Sequence, residues 1–145
     1  MEQESFTNMC MVYDGQGNIL VQNRVKSDWV GITFLGGHVE RGGSFGESTV
    51  REVREETGLN IWNLQLCGVK QFQTNEGARY VVMLYKTNCF SGQLTASEEG
   101  EVYWIKADKL HEYKLTLGFD ERFEVFIREY MIECYYTCLL YTSPS

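Results

Sequence analysis

Residues 36–59, GGHVERGGSFGESTVREVREETGL, decide how the rest of the chain is interpreted. The stretch begins as a glycine-rich loop and continues into a segment that carries the signals of a helix at both ends. Ser44 is a suitable N-cap, and Glu47, three residues later, completes a capping box. Gly58 stands where a left-handed residue commonly ends a helix. We therefore predict a loop followed by a helix that begins after Ser44 and ends at Gly58.

Three glutamates share one side of this predicted helix. Glu52, Glu55 and Glu56 are three and four residues apart, which places their side chains next to one another. Like charges at this spacing repel each other, so a bound cation is the best explanation of the cluster. Carboxylate oxygens favour hard divalent ions, and the sequence therefore predicts a site for Mg²⁺, with Mn²⁺ as the alternative.

The same residues resemble the Nudix box, G-x5-E-x7-R-E-U-x-E-E-x-G-U, in which U is a bulky aliphatic residue. A motif of this length with several charged positions at fixed spacing rarely arises by chance. Two positions differ, since Gly43 stands where the motif has its first glutamate and Leu35 stands where relatives usually have proline. The positions in register are Gly37, Arg51, Glu52, Val53, Glu55, Glu56, Gly58 and Leu59.

Length and composition predict one domain. A chain of 145 residues, 43% of them hydrophobic, is long enough for a single core, which we expect to be formed by residues 1–137. Residues 138–145, CLLYTSPS, resemble one translated reading frame of a sequencing-library adapter. We expect this tail not to belong to the natural protein.

Charge and hydropathy argue against nucleic-acid polymers and membranes as partners. The net charge of −7 argues against a nucleic-acid polymer, because few basic residues could replace counterions around its phosphates. The first residues do not resemble a signal peptide, and no apolar run is long enough to span a bilayer. The five cysteines form no CxxC pair and are expected to be reduced thiols. These features predict a cytoplasmic protein with no membrane partner. They leave both a monomer and a homodimer open.

The remaining chain is predicted to alternate strands with turns and to end in an amphipathic helix over residues 119–130. Strands mixed with a central helix indicate an α+β fold rather than a doubly wound sheet. The Nudix resemblance implies an α/β/α sandwich with a mixed β-sheet, the loop and helix of the box, and a C-terminal helix. The predicted strands are residues 6–13, 19–25, 29–34, 62–73, 80–87 and 101–105.

The resemblance also implies a chemistry, the metal-dependent hydrolysis of a nucleoside diphosphate linked to another group. It makes Glu55 and Glu56 metal ligands, and Glu52 either a ligand or the general base that Arg51 orients. The remaining oxygens would come from a backbone carbonyl at Gly36 or Gly37 and from an acidic residue late in the chain, Glu98 or Glu99. The metal would neutralise phosphoryl charge while a carboxylate removes a proton from water.

Other residues are weaker candidates for the same site. Glu47 lies one helical turn before Arg51, and we expect it to replace part of the function of the glutamate missing at position 43. Three aromatic residues could stack on a base, although such residues more often form the core. They are Trp29, Phe34 and Phe72. The candidate substrate contacts are Arg24, Phe34, His38 and Glu40.

The likeness extends beyond the box to residues 7–14, 29–40 and 98–105, which resemble bacterial MutT-type 8-oxo-dGTP diphosphatases of this family. It implies an enzyme that converts 8-oxo-dGTP or a related nucleoside triphosphate to its monophosphate and pyrophosphate. Two alternatives remain open. The substrate could be another nucleoside diphosphate derivative such as ADP-ribose, or the chain could be a nucleotide-binding module whose turnover is weakened by Gly43.

Overall fold

The computed structural model describes residues 4–25, 30–74, 77–95, 97, 100–127, 133–137 and 141–142. Two α-helices lie among strands, α1 at Phe45–Thr57 and α2 at Phe119–Ile127, and a 3-10 helix at Ala107–Glu112 precedes α2. The strands are β1 Glu4–Val12, β2 Asn18–Arg24, β3 Gly31–Thr33, β4 Leu35–His38, β5 Asn60–Trp62, β6 Gln65–Gln73, β7 Arg79–Thr87, β8 Cys89–Ser91, β9 Gly100–Lys106, β10 Glu133–Thr137 and β11 Tyr141–Thr142.

The larger sheet is mixed, as predicted. Its strand order is β11-β10-β6-β7-β1-β4, with β1 parallel to β7 and antiparallel to β4. The second sheet, in the order β3-β2-β9, is antiparallel, and β5 pairs with β8. Because β1 is bonded on both sides, it fixes the position of β4, and with it the paired glycines, relative to the rest of the sheet.

Alternate residues of β1 pack into two different cores. Cys10 belongs to the cluster that contains Val53 of α1, whereas Met11 belongs to the cluster that contains Phe119 and Phe126 of α2. Successive side chains of a strand point to opposite faces of its sheet, so the two helices cover opposite faces. The architecture is the α/β/α sandwich that the Nudix resemblance implies.

Local details differ from the predicted elements. The residues expected to form a glycine-rich loop include a strand, because Gly36 and Gly37 pair with Met9 and Asn8 as part of β4. The predicted strand over residues 62–73 is interrupted, with Trp62 ending β5 and Gln65 starting β6. The predicted C-terminal helix is observed as far as Ile127, and its last three positions lie outside the described residues.

Strands β8, β10 and β11 were not expected from the sequence pattern. Tyr141 and Thr142, which lie within the tail predicted to be foreign, pair with residues of β10. This pairing does not test the origin of the tail, and that origin remains a prediction. No helix in the described part of the chain is long and apolar enough to cross a membrane.

Candidate functional site

Helix α1 is fixed at both ends by the predicted caps. The Ser44 hydroxyl oxygen accepts a hydrogen bond from the backbone N–H of Glu47 at 3.0 Å. Gly58 adopts a left-handed conformation, with φ of 82°, and donates its N–H to the carbonyl of Arg54. Val53 and Thr57 are buried against the sheet, so the side chains on the neighbouring face of α1 are held in a defined position.

The paired glycines allow two close approaches, that of the β1 backbone at Gly36 and that of α1 at Gly37. A Cβ atom at Gly36 would overlap the carbonyl oxygen of Asn8, and one at Gly37 would lie 2.6 Å from the Glu52 carboxylate oxygen Oε2. Real Cβ atoms do not come this close to other heavy atoms. Glycine at position 37 is therefore what lets the Glu52 carboxylate lie directly against β4.

Arg51 joins the loop before α1 to the carboxylates on the helix. Its Nη2 donates a hydrogen bond to Glu52 Oε1 at 3.2 Å, its Nη1 lies 3.3 Å from Glu40 Oε2, and its Nε lies 3.7 Å from Glu55 Oε1. The hydrogen bond that Arg51 donates to Glu52, followed by the charge of Glu40, raises the pKa of Arg51 above its ordinary value. Arg51 thus neutralises part of the carboxylate charge on this face and orients Glu52.

The expectation that Glu47 holds Arg51 is wrong. Among the described residues, the ion-pair partners of Arg51 are Glu40, Glu52 and Glu55. The backbone of Glu47 is instead part of the helix cap. The physical reason is that residues 40–43 form a turn, closed by a hydrogen bond from Gly43 N to Glu40 O, which places Glu40 within reach of the arginine.

The three glutamates of α1 have different surroundings. Glu52 is partly buried beside Gly37, Glu55 is exposed beside Arg51, and Glu56 is only 5% exposed. Within the described ranges, no three His, Cys, Asp or Glu side chains are grouped closely enough to hold a metal ion. Glu98 and Glu99, the candidate late ligands, lie outside those ranges.

Asn8 is a polar residue near this site that was not predicted from the sequence. It is 2% exposed, it pairs with Gly37, and neither polar atom of its carboxamide has a hydrogen-bond partner in the described structure. Alternation along β1 puts it on the same face as Cys10, which packs with Val53 of α1. An asparagine within the apolar run of residues 6–13 was the available signal.

These donors fit a hard divalent cation chemically. Glu52 and Glu56 offer carboxylate oxygens one helical turn apart, and the Gly37 backbone lies against Glu52. Asn8 lies on the same face of the sheet and adds a buried carboxamide that has no hydrogen-bond partner in the described structure. The candidate ligands remain Gly36, Gly37, Glu52, Glu55 and Glu56 from the described residues, with Glu98 and Glu99 from outside them.

A central cleft of about 720 Å³ lies between the two sheets and reaches Glu52. All four of the predicted substrate contacts, Arg24, Phe34, His38 and Glu40, line it. Phe34 is 2% exposed, and its ring stacks on Phe119 with centroids 4.3 Å apart, so it forms part of the core as well as the floor of the cleft. Trp29 is outside the described residues.

The far wall of the central cleft combines aromatic rings with a buried cation. The rings of Phe72 and Tyr80 stack with centroids 5.1 Å apart, and the His38 ring meets Tyr80 edge-on at 6.3 Å. Lys70 is 5% exposed, and its Nζ lies 5.2 Å from the centroid of Phe72. Lys70 and Tyr80 were not predicted as site residues, because their position at the cleft depends on strand pairing that local sequence does not specify.

Comparison with known proteins agrees with this arrangement. A family model described as the NUDIX domain matches residues 7–128. The chain is 30% identical over 114 residues to an uncharacterized Nudix hydrolase, YvcI, of Bacillus subtilis, covering 75% of this chain and 70% of that protein.

Solved structures show the same fold. A MutT protein from Bacillus halodurans matches with a TM-score of 0.74 and 23% identity, covering 97% of this chain and 95% of its own. A MutT NUDIX hydrolase from Burkholderia pseudomallei matches with the same TM-score and identity over 85% of this chain and 98% of its own. The family model spans most of the chain and includes the Gly37, Arg51 and Glu52 arrangement. The chain therefore belongs to the Nudix hydrolase family.

Proposed function

We propose that this protein is a Mg²⁺-dependent pyrophosphohydrolase that converts 8-oxo-dGTP, or a related nucleoside triphosphate, to the monophosphate and pyrophosphate. Nudix hydrolases generally use divalent metal ions and act on small nucleotide substrates. The observation that carries the proposal is the position of Glu52, held by Arg51 against Gly37 at one end of a cleft of about 720 Å³. A cytoplasmic location is part of the same proposal.

In this proposal some residues bind the metal ion, and Glu52 can either bind it or accept a proton. Mg²⁺, when bound by Glu52, Glu55, Glu56 and the Gly36 and Gly37 backbone, would withdraw charge from the phosphoryl oxygens and activate water. Arg51 occupies Glu52 Oε1 with a hydrogen bond, which leaves Oε2 facing Gly37. Glu52 can then bind the metal or accept the proton of the attacking water.

The central cleft would bind the rest of the nucleotide. Arg24, His38 and Glu40 lie along it, and the Phe72 and Tyr80 rings form an apolar wall beyond them. An aromatic pair of this kind presents a flat surface to a base. The net charge of −7 supports a small polyphosphate bound through a metal over a nucleic-acid polymer.

A nucleotide-binding module with weakened turnover is the second candidate, and Gly43 is the observation that favours it. Release of pyrophosphate from 8-oxo-dGTP, dGTP and other nucleoside triphosphates, and release of AMP and ribose 5-phosphate from ADP-ribose, each measured with and without Mg²⁺, separate the candidates. We expect Mg²⁺-dependent release by the wild type, and a loss of about 100-fold or more in Glu52→Gln and Glu56→Gln.

Glu47→Gln is the matched control, since it removes a carboxylate from α1 outside the arginine contacts and should retain wild-type turnover. Tight nucleotide binding without metal-dependent turnover would support the module instead. Turnover of ADP-ribose alone would overturn the triphosphate assignment while keeping the reaction class.

A further inference from the structure

We propose that Lys70 selects purines that carry a carbonyl oxygen at position 6 over purines that carry an amino group there. The inference rests on the proposed function, because it assigns a base preference within the nucleotide class. Its starting observation is a buried ammonium in the wall of the central cleft, next to the ring of Phe72. Nothing in the Nudix box specifies this residue.

Strand pairing places Lys70 on the cleft face of the mixed sheet. Lys70 of β6 pairs with Val82 of β7, which in turn pairs with Thr7 of β1, and Thr7 pairs with His38 of β4. Residues paired in this way point to the same face of a sheet. All four line the central cleft. The row therefore runs across the cleft from His38 at one side to Lys70 at the other.

The separation along this row favours the base over the phosphates as the partner of Lys70. Neighbouring strands are roughly 4.8 Å apart, so Lys70 lies about 14 Å across the sheet from β4. Gly37, the neighbour of His38, is the residue that contacts Glu52. A nucleotide whose phosphates lie at Glu52 would extend across the cleft, past Tyr80 beside His38, towards Phe72 and Lys70 on β6.

The surroundings of Lys70 suit a flat ring. Its ammonium lies 5.2 Å from the centroid of Phe72, and Phe72 stacks with Tyr80. A base lying along these rings would present its polar edge to the ammonium. Lys70 has three N–H donors and no acceptor, so a contact with a base requires only one of them.

Donor chemistry then decides which purine is preferred. A carbonyl oxygen at position 6 accepts a hydrogen bond from the ammonium, and burial strengthens a charge-assisted bond of this kind. The 6-amino group of adenine is itself a donor and cannot accept one. Adenine would therefore place its amino group against the Lys70 ammonium, with no hydrogen bond between them. Guanine, 8-oxoguanine and hypoxanthine would each accept a hydrogen bond from the ammonium.

The test compares kcat/KM for dGTP, 8-oxo-dGTP and dITP with that for dATP, in Lys70→Met, Lys70→Arg and the wild type. We expect the wild type to prefer the three 6-oxopurines, and Lys70→Met to reduce the preference by about tenfold or more. Lys70→Arg should retain most of it. Inclusion of dITP separates the carbonyl from the 2-amino group of guanine. Lys86→Met is the control, because Lys86 lies in the same sheet and donates to the carbonyl of Phe126.

Each preference is a ratio measured on one sample, so a partly unfolded variant lowers both rates and leaves the ratio unchanged. An unchanged ratio in Lys70→Met, or a wild type that treats dATP like dGTP, would overturn the inference while leaving the proposed function intact. If the wild type hydrolyses no nucleotide, the proposed function fails. In that case the dissociation constants of GMP, IMP and AMP are compared in the wild type and in Lys70→Met. Tighter binding of GMP and IMP than of AMP that is lost in Lys70→Met would support the role of Lys70, and an unchanged ratio would overturn it.

Discussion

Arg51 and Glu40 form an ion pair, with Nη1 3.3 Å from Oε2, in a chain that has glycine at the position of the first Nudix-box glutamate. The turn over residues 40–43 brings Glu40 to the arginine, and the other terminal nitrogen of Arg51 bonds Glu52. Glu40 therefore supplies, from three residues earlier in the chain, a carboxylate that can hold the arginine. Because Glu40 is 72% exposed, its effect is expected to be modest.

Replacing Glu40 should weaken turnover without unfolding the protein. Glu40→Gln removes the charge that holds Arg51, so we expect kcat to fall about two- to fivefold, the range that an exposed ion pair of roughly 0.5 to 1 kcal/mol implies. Steady-state pyrophosphate release measures the effect. A thermal melt should show little change.

A second substitution tests whether Glu40 replaces the missing box residue. A Cβ atom at Gly43 would lie 3.1 Å from Glu40 O and 3.4 Å from Ser48 Oγ, so a side chain there needs only a small adjustment. We expect Gly43→Glu to restore turnover in the Glu40→Gln background. If Glu47→Gln reduced turnover as much as Glu40→Gln, the assignment to Glu40 would be wrong.

Gly37→Ala should damage the site more than the fold. The new methyl group would lie 2.6 Å from Glu52 Cδ and Oε2, and the end of that flexible side chain must move. A misplacement of about 1 Å can cost roughly 100-fold in rate, so we expect a loss of about 10- to 100-fold in kcat/KM. The melting temperature should change little, because a side chain rather than the backbone is displaced.

Gly46→Ala is the matched control for Gly37→Ala. Gly46 lies in α1, and a Cβ atom there would have no heavy atom within 4 Å. We expect unchanged turnover and a gain in stability of up to about 1 kcal/mol, because alanine restricts the unfolded chain and favours a helix. Equal losses of activity in both variants would show that the effect at Gly37 is not specific to Glu52.

The parts of the site that could be predicted from sequence are those with local causes. The N-cap Ser44 and the C-cap Gly58 act within one helix, and both caps were predicted from spacing alone and are confirmed. The mixed sheet and the α/β/α architecture followed from the family resemblance. The positions of Arg51 and Glu52 on α1 likewise follow from the periodicity of a single helix.

The parts that were missed depend on contacts between distant segments. Lys70 faces the central cleft because of its pairing with Val82, and Asn8 meets Gly37 only because β1 pairs with β4. The partner of Arg51 was assigned to Glu47 from helical spacing, but a turn outside the helix brings Glu40 closer. Tertiary geometry overrides local spacing at such positions.

Metal binding should be visible in stability as well as in turnover. If Glu56 is a ligand, Mg²⁺ will raise the melting temperature of the wild type, because a ligand present at 100 times its Kd adds about 2.7 kcal/mol. Glu56→Gln should melt at the same temperature with Mg²⁺ and with EDTA. An equal response of the wild type and the variant to Mg²⁺ would exclude Glu56 as a ligand.

The turn between β1 and β2 should lose stability in acid. Asp14 Oδ1 accepts hydrogen bonds from the N–H groups of Gln16 and Asn18 at 2.8 and 3.0 Å, and Oδ2 accepts one from the Asn18 side chain at 2.8 Å. The Asn18 side-chain bond is the main cause that lowers the pKa of Asp14 below its ordinary value. The ionised carboxylate accepts these three bonds more strongly than the protonated acid would.

The sign of the pH effect follows from that lowered pKa. In moderately acid solution the unfolded state binds more protons at Asp14 than the folded state does, so stability falls as pH is lowered through the folded pKa. We therefore expect Asp14→Ala to reduce the free energy of unfolding near neutral pH and to lose this disadvantage below about pH 3. Asn18→Ala should shift the loss of stability to higher pH, because it removes the bond that lowers the pKa of Asp14 most.

Guanidinium unfolding at a series of pH values measures both effects. If the free energies of unfolding of the wild type and Asp14→Ala differed by the same amount at every pH, the charge of Asp14 would not stabilise the turn.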